Sequence, residues 1–106
     1  MILVTTENIP GKKIVKVLGL TRGNTIRARN LGRDLMAVFK NIVGGEISDY
    51  TKLMAESREQ AIDRLIEDAE KMGANAVVAL RFATTSVMQS AAEYLVYGTA
   101  VICEDM

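Results

Sequence analysis

Hydrophobic and polar positions in the first thirty residues predict β-structure. "MILVTT" is a short apolar run with β-branched residues, which is typical of a strand. "IPGKK" supplies a turn, and "KIVKVLGLTRGNTIRAR" (13–29) then indicates a strand, a turn and a second strand. The turn is predicted at "RGNT" (22–25), because a glycine–asparagine pair is typical of a tight hairpin.

Apolar residues at helical spacing predict a short helix next. Asn30 is a suitable cap for its first turn, and Gly44–Gly45 would end it, since glycine accepts the left-handed conformation of helix ends. Its apolar face comprises Leu31, Leu35, Val38, Phe39 and Ile42.

A second, longer helix is predicted from Ser48 or Asp49 to about Met72, with Gly73 directly after its end. Its inward face comprises Tyr50, Leu53, Met54, Ser57, Ala61, Ile62, Leu65, Ile66, Ala69 and Met72. Its outward face comprises Glu59, Asp63, Glu67, Glu70 and Lys71.

Two β-rich runs follow, "NAVVALRFATTSV" and "EYLVYGTAVICE", with "MQSAA" as the tip of a hairpin between them. Alternate positions of the last run form two faces. One comprises Tyr94, Val96, Gly98, Ala100 and Ile102, and the other Leu95, Tyr97, Thr99, Val101 and Cys103. A half-exposed strand should alternate with polar residues, and this one does not. The long helix can cover one face, and we expect another subunit to cover the other.

Composition predicts one folded domain, residues 1–106. Apolar residues make up 49% of the chain and proline occurs once, which disfavours disorder. The apolar runs are too short to cross a bilayer, and the first residues lack the features of a signal peptide. A single cysteine suits a reducing compartment. We therefore expect a cytoplasmic protein without a membrane partner.

Charges are segregated although they sum to zero. Residues 1–42 hold eight Lys or Arg against two Asp or Glu, a net of +6, whereas residues 43–72 carry −4. Four arginines lie within the stretch 22–33, but no aromatic residue is interleaved to stack on bases, which disfavours nucleic-acid binding. Ion pairs with the acidic second helix are the preferred use of these arginines; a solvated, patchily charged surface is the alternative.

Candidate chemistry is sparse. The chain has no histidine and one cysteine, Cys103, so neither a Ser-His or Cys-His pair nor a soft-metal cluster can form within one subunit. We therefore predict no enzymatic activity and no cofactor. A small apolar residue in a buried strand is the preferred interpretation of Cys103, and a metal ligand shared among subunits is the weaker one.

Arg81 is the only basic residue after Lys71, and it lies mid-strand among apolar neighbours. A charge in such a place needs a partner, because burial of an unpaired charge is costly. Glu93 across the predicted hairpin is the candidate partner. A ligand-binding or pore-lining role for Arg81 is the alternative.

Several segments in combination resemble the YbjQ-like family of small bacterial and archaeal proteins. They are "NIVGGEISDYTKLM" (41–54), "REQAIDRLIEDAEKMGANAVVALR" (58–81) and "EYLVYGTAV" (93–101), and "VTTENIPGKKIVKVLG" also looks like the family's opening. "AES" (55–57) departs from the acidic-Ala-Arg stretch expected there.

The resemblance implies an α+β subunit, an antiparallel sheet packed with one long and one short helix, in a pentameric ring. Members carry a heavy-metal-binding label but no established activity. We therefore expect a non-enzymatic assembly or ligand-binding protein whose partner is itself, as a pentamer or stacked pentamers. The alternative is a heavy-metal-binding module using Cys103 and carboxylates from several subunits. Glu46 is a second weak ligand-binding candidate beside Arg81; we expect it to bridge to an arginine such as Arg33 or one of a neighbouring subunit.

Overall fold

The computed structural model describes residues 1–27, 48–88 and 91–106 as an α+β fold. Its elements are β1 (Ile2–Leu3), β2 (Lys12–Arg27), α1 (Ser48–Lys71), β3 (Ala76–Met88) and β4 (Ala91–Asp105). The predicted short helix, Gly44–Gly45, Glu46 and the tip of the β3–β4 hairpin lie outside the described residues.

The four described strands form one mixed sheet in the order β1-β3-β4-β2. β4 is antiparallel to both of its neighbours, as predicted. β1, in contrast, runs parallel to β3, with Ile2 opposite Ala76. A parallel pair needs a long crossover connection, and the chain between β1 and β3 contains β2 and α1. The prediction of a wholly antiparallel sheet was therefore wrong at this edge.

The hairpin predicted at "RGNT" does not form, because β2 continues through it. Gly23 pairs with Val96 and Asn24 with Leu95, both on β4. A Cβ on Gly23 would run into the backbone of α1 at Ala61 and Leu65. The glycine therefore allows the helix to approach the strand closely, which is a use of glycine that mimics a turn signal in the sequence.

Helix α1 has the predicted bounds, and the predicted inward face is confirmed from Met54 onward; the side chains of Tyr50 and Leu53 lie outside the described ones. Ser57, Ala61, Leu65 and Ala69, four residues apart, are buried against β2 and β4, while the predicted outward acidic residues of α1 are exposed. Gly73 has a φ of 91°, the left-handed conformation expected just past a helix end. No helix within the described ranges is both long and apolar enough to span a membrane.

The sheet face opposite α1, here called the open face, is covered only in part by the residues that the structure describes. Its β2 and β4 residues are Ile14, Val17, Leu20, Arg22, Asn24 and Ile26, with Glu93, Leu95, Tyr97, Thr99, Val101 and Cys103 opposite them. Residues 2–9 pack over Val101 and Cys103 and bury them. Beyond this cover, Val17 is 64% exposed and Leu20 65%. The second face of β4, which another subunit was expected to cover, is thus covered in part by residues 2–9 of the same chain.

Candidate functional site

Strand β3 is irregular at its centre. Val78 pairs with Thr99 and Arg81 with Tyr97, so two residues of β3 lie opposite one residue of β4. The first of the two, Ala79, has a φ of 55°, in the left-handed region that residues with a Cβ rarely adopt. Bulges of this kind redirect the side chains that follow them, and here the bulge sets Arg81 directly opposite Tyr97.

Gly98 is the residue of β4 that faces the bulge. A Cβ at this position would lie 2.7 Å from Val77 Cγ1 and 3.0 Å from the carbonyl oxygen of Val78. Both distances are too short for an undisturbed contact, so the bulge requires glycine opposite it. The pairing that brings Arg81 to Tyr97 is therefore encoded on both strands.

The N-terminal strap, residues 4–6, holds the bulge through three successive carbonyl groups. The hydrogen bonds run from Ala79 N to Thr6 O (2.8 Å), from Leu80 N to Val4 O (3.0 Å) and from Arg81 Nη1 to Thr5 O (2.8 Å). Backbone amides that the bulge removes from the β3–β4 ladder are thus satisfied by the strap. The strap also fixes one end of the Arg81 side chain.

Among the described residues, the Arg81 guanidinium is anchored to backbone carbonyls and not to a carboxylate. Its Nη1 also donates to the carbonyl oxygen of Leu80 at 2.8 Å, so both hydrogens of Nη1 are used. The Nε and Nη2 edge, which carries the other three donors, is on an exposed residue. The predicted pair with Glu93 was wrong: Glu93 lies opposite Thr85 and accepts a hydrogen bond from Asn24 Nδ2 at 3.1 Å.

Arg22, Tyr97 and Arg81 stand side by side on three neighbouring strands and form the arginine row. Arg22 is opposite Tyr97 on β2, as Arg81 is on β3. Directly opposite residues have Cβ atoms about 5 Å apart and share a face of the sheet. Because Gly23 faces the helix, its neighbour Arg22 faces the open side. Tyr97 is 38% exposed and both arginines are exposed.

Neither arginine of the row has an acidic partner within ranges 1–27, 48–88 and 91–106. The ion pair that the structure places in these ranges joins Lys12 to Asp105. The predicted ion pair of Arg22 with the acidic helix is not found among the described side chains of α1: only the Arg22 backbone amide reaches Asp68, at 3.4 Å. The arginine row therefore carries two positive charges that the described part of the chain does not compensate.

On the other side of β2, polar contacts attach α1 to the sheet. The buried Thr21 hydroxyl donates to Asp68 Oδ2 at 2.8 Å, and Arg64 Nη1 donates to the carbonyl oxygen of Asn24 at 2.6 Å. These groups form hydrogen bonds with each other across the contact between α1 and β2. We therefore assign them a structural role.

Cys103 lies in a core rather than in a ligand cluster. Its residue is 6% exposed and packs with Ile9, Val78 and Val101. The Asn75 side chain clamps its backbone, donating to the carbonyl oxygen and accepting from the amide, both at 2.8 Å. Over the part of the chain that the structure describes, no three His, Cys, Asp or Glu side chains gather as a metal site would require. These residues of one subunit do not fit a heavy metal.

Lys12 and Asp105 tie the ends of β2 and β4 together. Their hydrogen bond, and then the attraction of their charges, holds the pKa of the Asp105 carboxyl below its ordinary value of 3.8. The same two causes hold the pKa of Lys12 above its ordinary value of 10.5. Asp105, two residues after Cys103 in the sequence, is therefore committed to Lys12.

The sequence singled out one member of the arginine row and missed two. Arg81 was a candidate because of its isolation among apolar residues. Arg22 was grouped with its neighbours in sequence, and Tyr97 was assigned to an apolar strand face. The three residues stand side by side only because the bulge sets the register of β3 against β4. The one sequence signal of that bulge was Gly98, a glycine within a β-run.

Comparisons with known proteins place the chain in a family. The family model YbjQ_1, described as "Putative heavy-metal-binding", matches residues 1–104. A UPF0145 protein of Clostridioides difficile is 59% identical over 105 residues, which is 99% of this chain and 94% of that protein. One from Methanosarcina acetivorans is 56% identical over 101 residues, 95% of each chain.

A solved structure shares the fold. It is a protein of unknown function of the DUF74 family from Pediococcus pentosaceus, with a TM-score of 0.61 and 15% sequence identity over 98% of each chain. At this identity the likeness concerns the fold alone. The family match and the close relatives, taken with the α+β fold described above, show that the chain belongs to the YbjQ family of UPF0145 proteins.

Proposed function

We propose that the protein is a non-enzymatic, ring-forming assembly protein of the cytoplasm, with a pentamer as the subunit number that the YbjQ-like resemblance implies. The observation that carries the assembly is the pair of long strand edges at the two sides of the sheet. The exposed apolar residues of the open face support it, and the single cysteine supports the compartment.

The first edge is the outer side of β2. This strand is 16 residues long and ends the sheet, with β4 on its inner side. The second edge is the outer side of β3 beyond the bulge, because β1 pairs only with Ala76 and Val77. On the β2 edge the Arg22 amide and the Asn24 carbonyl are already bonded to Asp68 and Arg64 of α1. A contact with a neighbouring subunit would use the rest of this edge, and soluble proteins usually cover such edges.

Pairing these two edges between subunits gives a ring. The β2 edge and the β3 edge are different surfaces on opposite sides of the sheet, so a contact between them is heterologous and repeats from subunit to subunit. Such a series closes into a ring when the rotation between neighbours divides a full turn and otherwise continues as a filament; a closed ring is the form that the YbjQ-like resemblance implies. Val17 and Leu20, on β2, would be removed from water by the neighbouring subunit.

Lysine substitutions on the open face test this proposal. We expect Val17→Lys and Leu20→Lys to shift the protein from an oligomer toward the monomer in sedimentation velocity, because each places a charge in the subunit contact. Met106→Lys is the matched control, since Met106 is 88% exposed and lies past the end of β4. If both β2 variants sediment with the wild type, the contact does not involve this face.

The family description makes heavy-metal binding the second candidate. The described residues of one subunit do not assemble the donors, so such a site would combine Cys103 with carboxylates from several subunits. Metal retained by the purified protein and lost in Cys103→Ser would favour this candidate. A protein that binds no metal ion before or after the substitution would remove it.

A further inference from the structure

We propose that the arginine row, Arg22, Tyr97 and Arg81, is a binding site for the phosphate group of a phosphate monoester. All three side chains belong to one chain and lie on the open face of its sheet. The site goes beyond the proposed assembly and does not rest on it. A monomer of this protein would carry the same three residues in the same register.

Arg81 is arranged in advance for an oxyanion. Two backbone carbonyls, of Thr5 and Leu80, hold its Nη1 at 2.8 Å each. The remaining Nε and Nη2 donors form the edge of a guanidinium that binds phosphate in a bidentate manner. A side chain already held in one geometry loses less freedom when the ligand binds. An arginine that served only to solvate the surface would gain nothing from such an anchor.

The backbone conformation around Arg81 also supports a binding site. The left-handed Ala79 and the close approach at Gly98 both serve the bulge that places Arg81 opposite Tyr97. Strained residues of this kind persist where the surrounding structure holds them, and they cluster at binding sites. Here the strained residue lies in the bulge that sets the register of Arg81 and that also binds the N-terminal strap.

Arg22 supplies the second guanidinium, on the far side of Tyr97. With neighbouring strands about 4.8 Å apart, the Cα atoms of the two arginines are about 10 Å apart, a span that the Arg22 side chain can reach across toward the Nε and Nη2 edge of the anchored Arg81. Two positive charges that the described residues leave uncompensated match the double negative charge of a phosphate monoester, and the Tyr97 hydroxyl adds a donor. A carboxylate offers a single charge and two oxygens, which one of the arginines would satisfy.

The surroundings argue for one phosphate rather than a nucleic-acid backbone. Along the open face the row is bordered by Leu20 and Leu95, and Glu93 lies further along β4. A backbone-binding groove continues its positive charge over several phosphates. Among the described side chains the row comprises two arginines, a footprint that fits a single group.

Titration with small anions at low ionic strength tests the site, with 15N NMR of the full chain as readout. Inorganic phosphate and phenyl phosphate are the probes, and benzoate has the same ring with a carboxylate. We expect saturable shifts at residues 22, 81 and 97 for both phosphates, one site per subunit, and binding of benzoate about tenfold or more weaker. Equal binding of benzoate would overturn the assignment to phosphate.

Substitutions separate the site from general charge. Arg81→Gln and Arg22→Gln should each weaken phosphate binding about tenfold or more, and Arg81→Lys should not restore it, because lysine lacks the fork of donors. Arg58→Gln removes the same charge from an exposed position on α1 and should leave binding unchanged. Equal losses in all three glutamine variants would show non-specific attraction and overturn the proposal.

The mass of the oligomer that each variant forms distinguishes a failure of the phosphate site from a failure of the proposed ring. If Arg81→Gln dissociates the oligomer and the wild type does not bind phosphate, the arginine row is an ion-pair contact between subunits, and the proposed site is wrong. If the wild type is a monomer that binds phosphate at the row, the site stands and the ring fails. Retained mass with lost phosphate binding is the result that we expect.

Discussion

Thr21 and Thr25 show how the same side chain has opposite consequences at two positions of one strand. Both lie on the helix-facing side of β2, exposed by 0% and 3%. The Thr21 hydroxyl donates to Asp68 at 2.8 Å, whereas the Thr25 hydroxyl finds no hydrogen-bond partner in the described structure. A buried polar group without a partner costs free energy, and one with a partner repays most of that cost.

We therefore expect Thr21→Val to lower the free energy of unfolding by about 1–2 kcal/mol, since it removes the shorter of the two hydrogen bonds to Asp68 Oδ2 and leaves only the 3.4 Å one from the Arg22 amide. Thr25→Val should be neutral or stabilising, because valine has the same shape and needs no partner. Urea unfolding of the two variants provides the comparison. Equal losses would mean that the Thr25 hydroxyl is satisfied after all.

The Lys12–Asp105 pair predicts a pH dependence at the ends of β2 and β4. Because the folded-state pKa of Asp105 is lowered, the stabilisation is present above 3.8 and is lost as the pH falls through the folded-state value. Because the pKa of Lys12 is raised, the stabilisation is present below 10.5 and is lost as the pH rises through the folded-state value. Asp105 is 84% exposed, so solvent screens the pair and the effect is small.

Asp105→Asn should therefore be slightly less stable than the wild type at neutral pH, and the two unfolding curves should converge in acid, below the folded-state pKa of Asp105. Thermal unfolding across the acidic range measures this. Glu104→Gln removes a neighbouring charge outside the ion pair and is the control. A difference for Asp105→Asn that persists in acid would have another cause than the ion pair.

At the scale of elements, the contact between β2 and α1 depends on the absence of a side chain at Gly23. We expect Gly23→Ala to lower the free energy of unfolding by at least about 2 kcal/mol, because its Cβ would meet backbone atoms of the helix that cannot move alone. Gly11→Ala is a useful comparison. It has open space around it and a φ of 82°, so it should lose only the cost of that conformation, about 1–2 kcal/mol.

Chemical denaturation of both glycine variants, followed by circular dichroism, measures these losses. A Gly23→Ala variant no less stable than Gly11→Ala would mean that α1 does not approach β2 as closely as described.

Elements could be predicted where one local pattern had one meaning. The 3.6-residue period of apolar residues, the capping serine and Gly73 all indicate the same helix, so the bounds of α1 could be predicted from the sequence. "RGNT" had two meanings, a turn or a close helix contact, and only the position of α1 decides between them. The bulge in β3 was not predicted, because its cause lies on Gly98 and on the N-terminal strap, both distant in sequence. The arginine row depends on that bulge, so it was beyond local reasoning as well.

At the scale of the whole molecule, the described chain leaves its sheet incompletely covered. The apolar character of both faces of β4 predicted this from the sequence, and helix α1 with the N-terminal segment covers only part. Which part of the sheet stays exposed could not be predicted, because it depends on the strand order β1-β3-β4-β2, which puts β2 at one side. The ring proposal follows from these two features together.

Native mass spectrometry of protein purified without added metal or chelator tests the assembly most directly. It reports the number of subunits and the mass of any retained ligand or metal in one spectrum. We expect five subunits, or two stacked rings of five, and a shift toward smaller species for Leu20→Lys. A wild-type protein that is a clean monomer at micromolar concentration would contradict the ring.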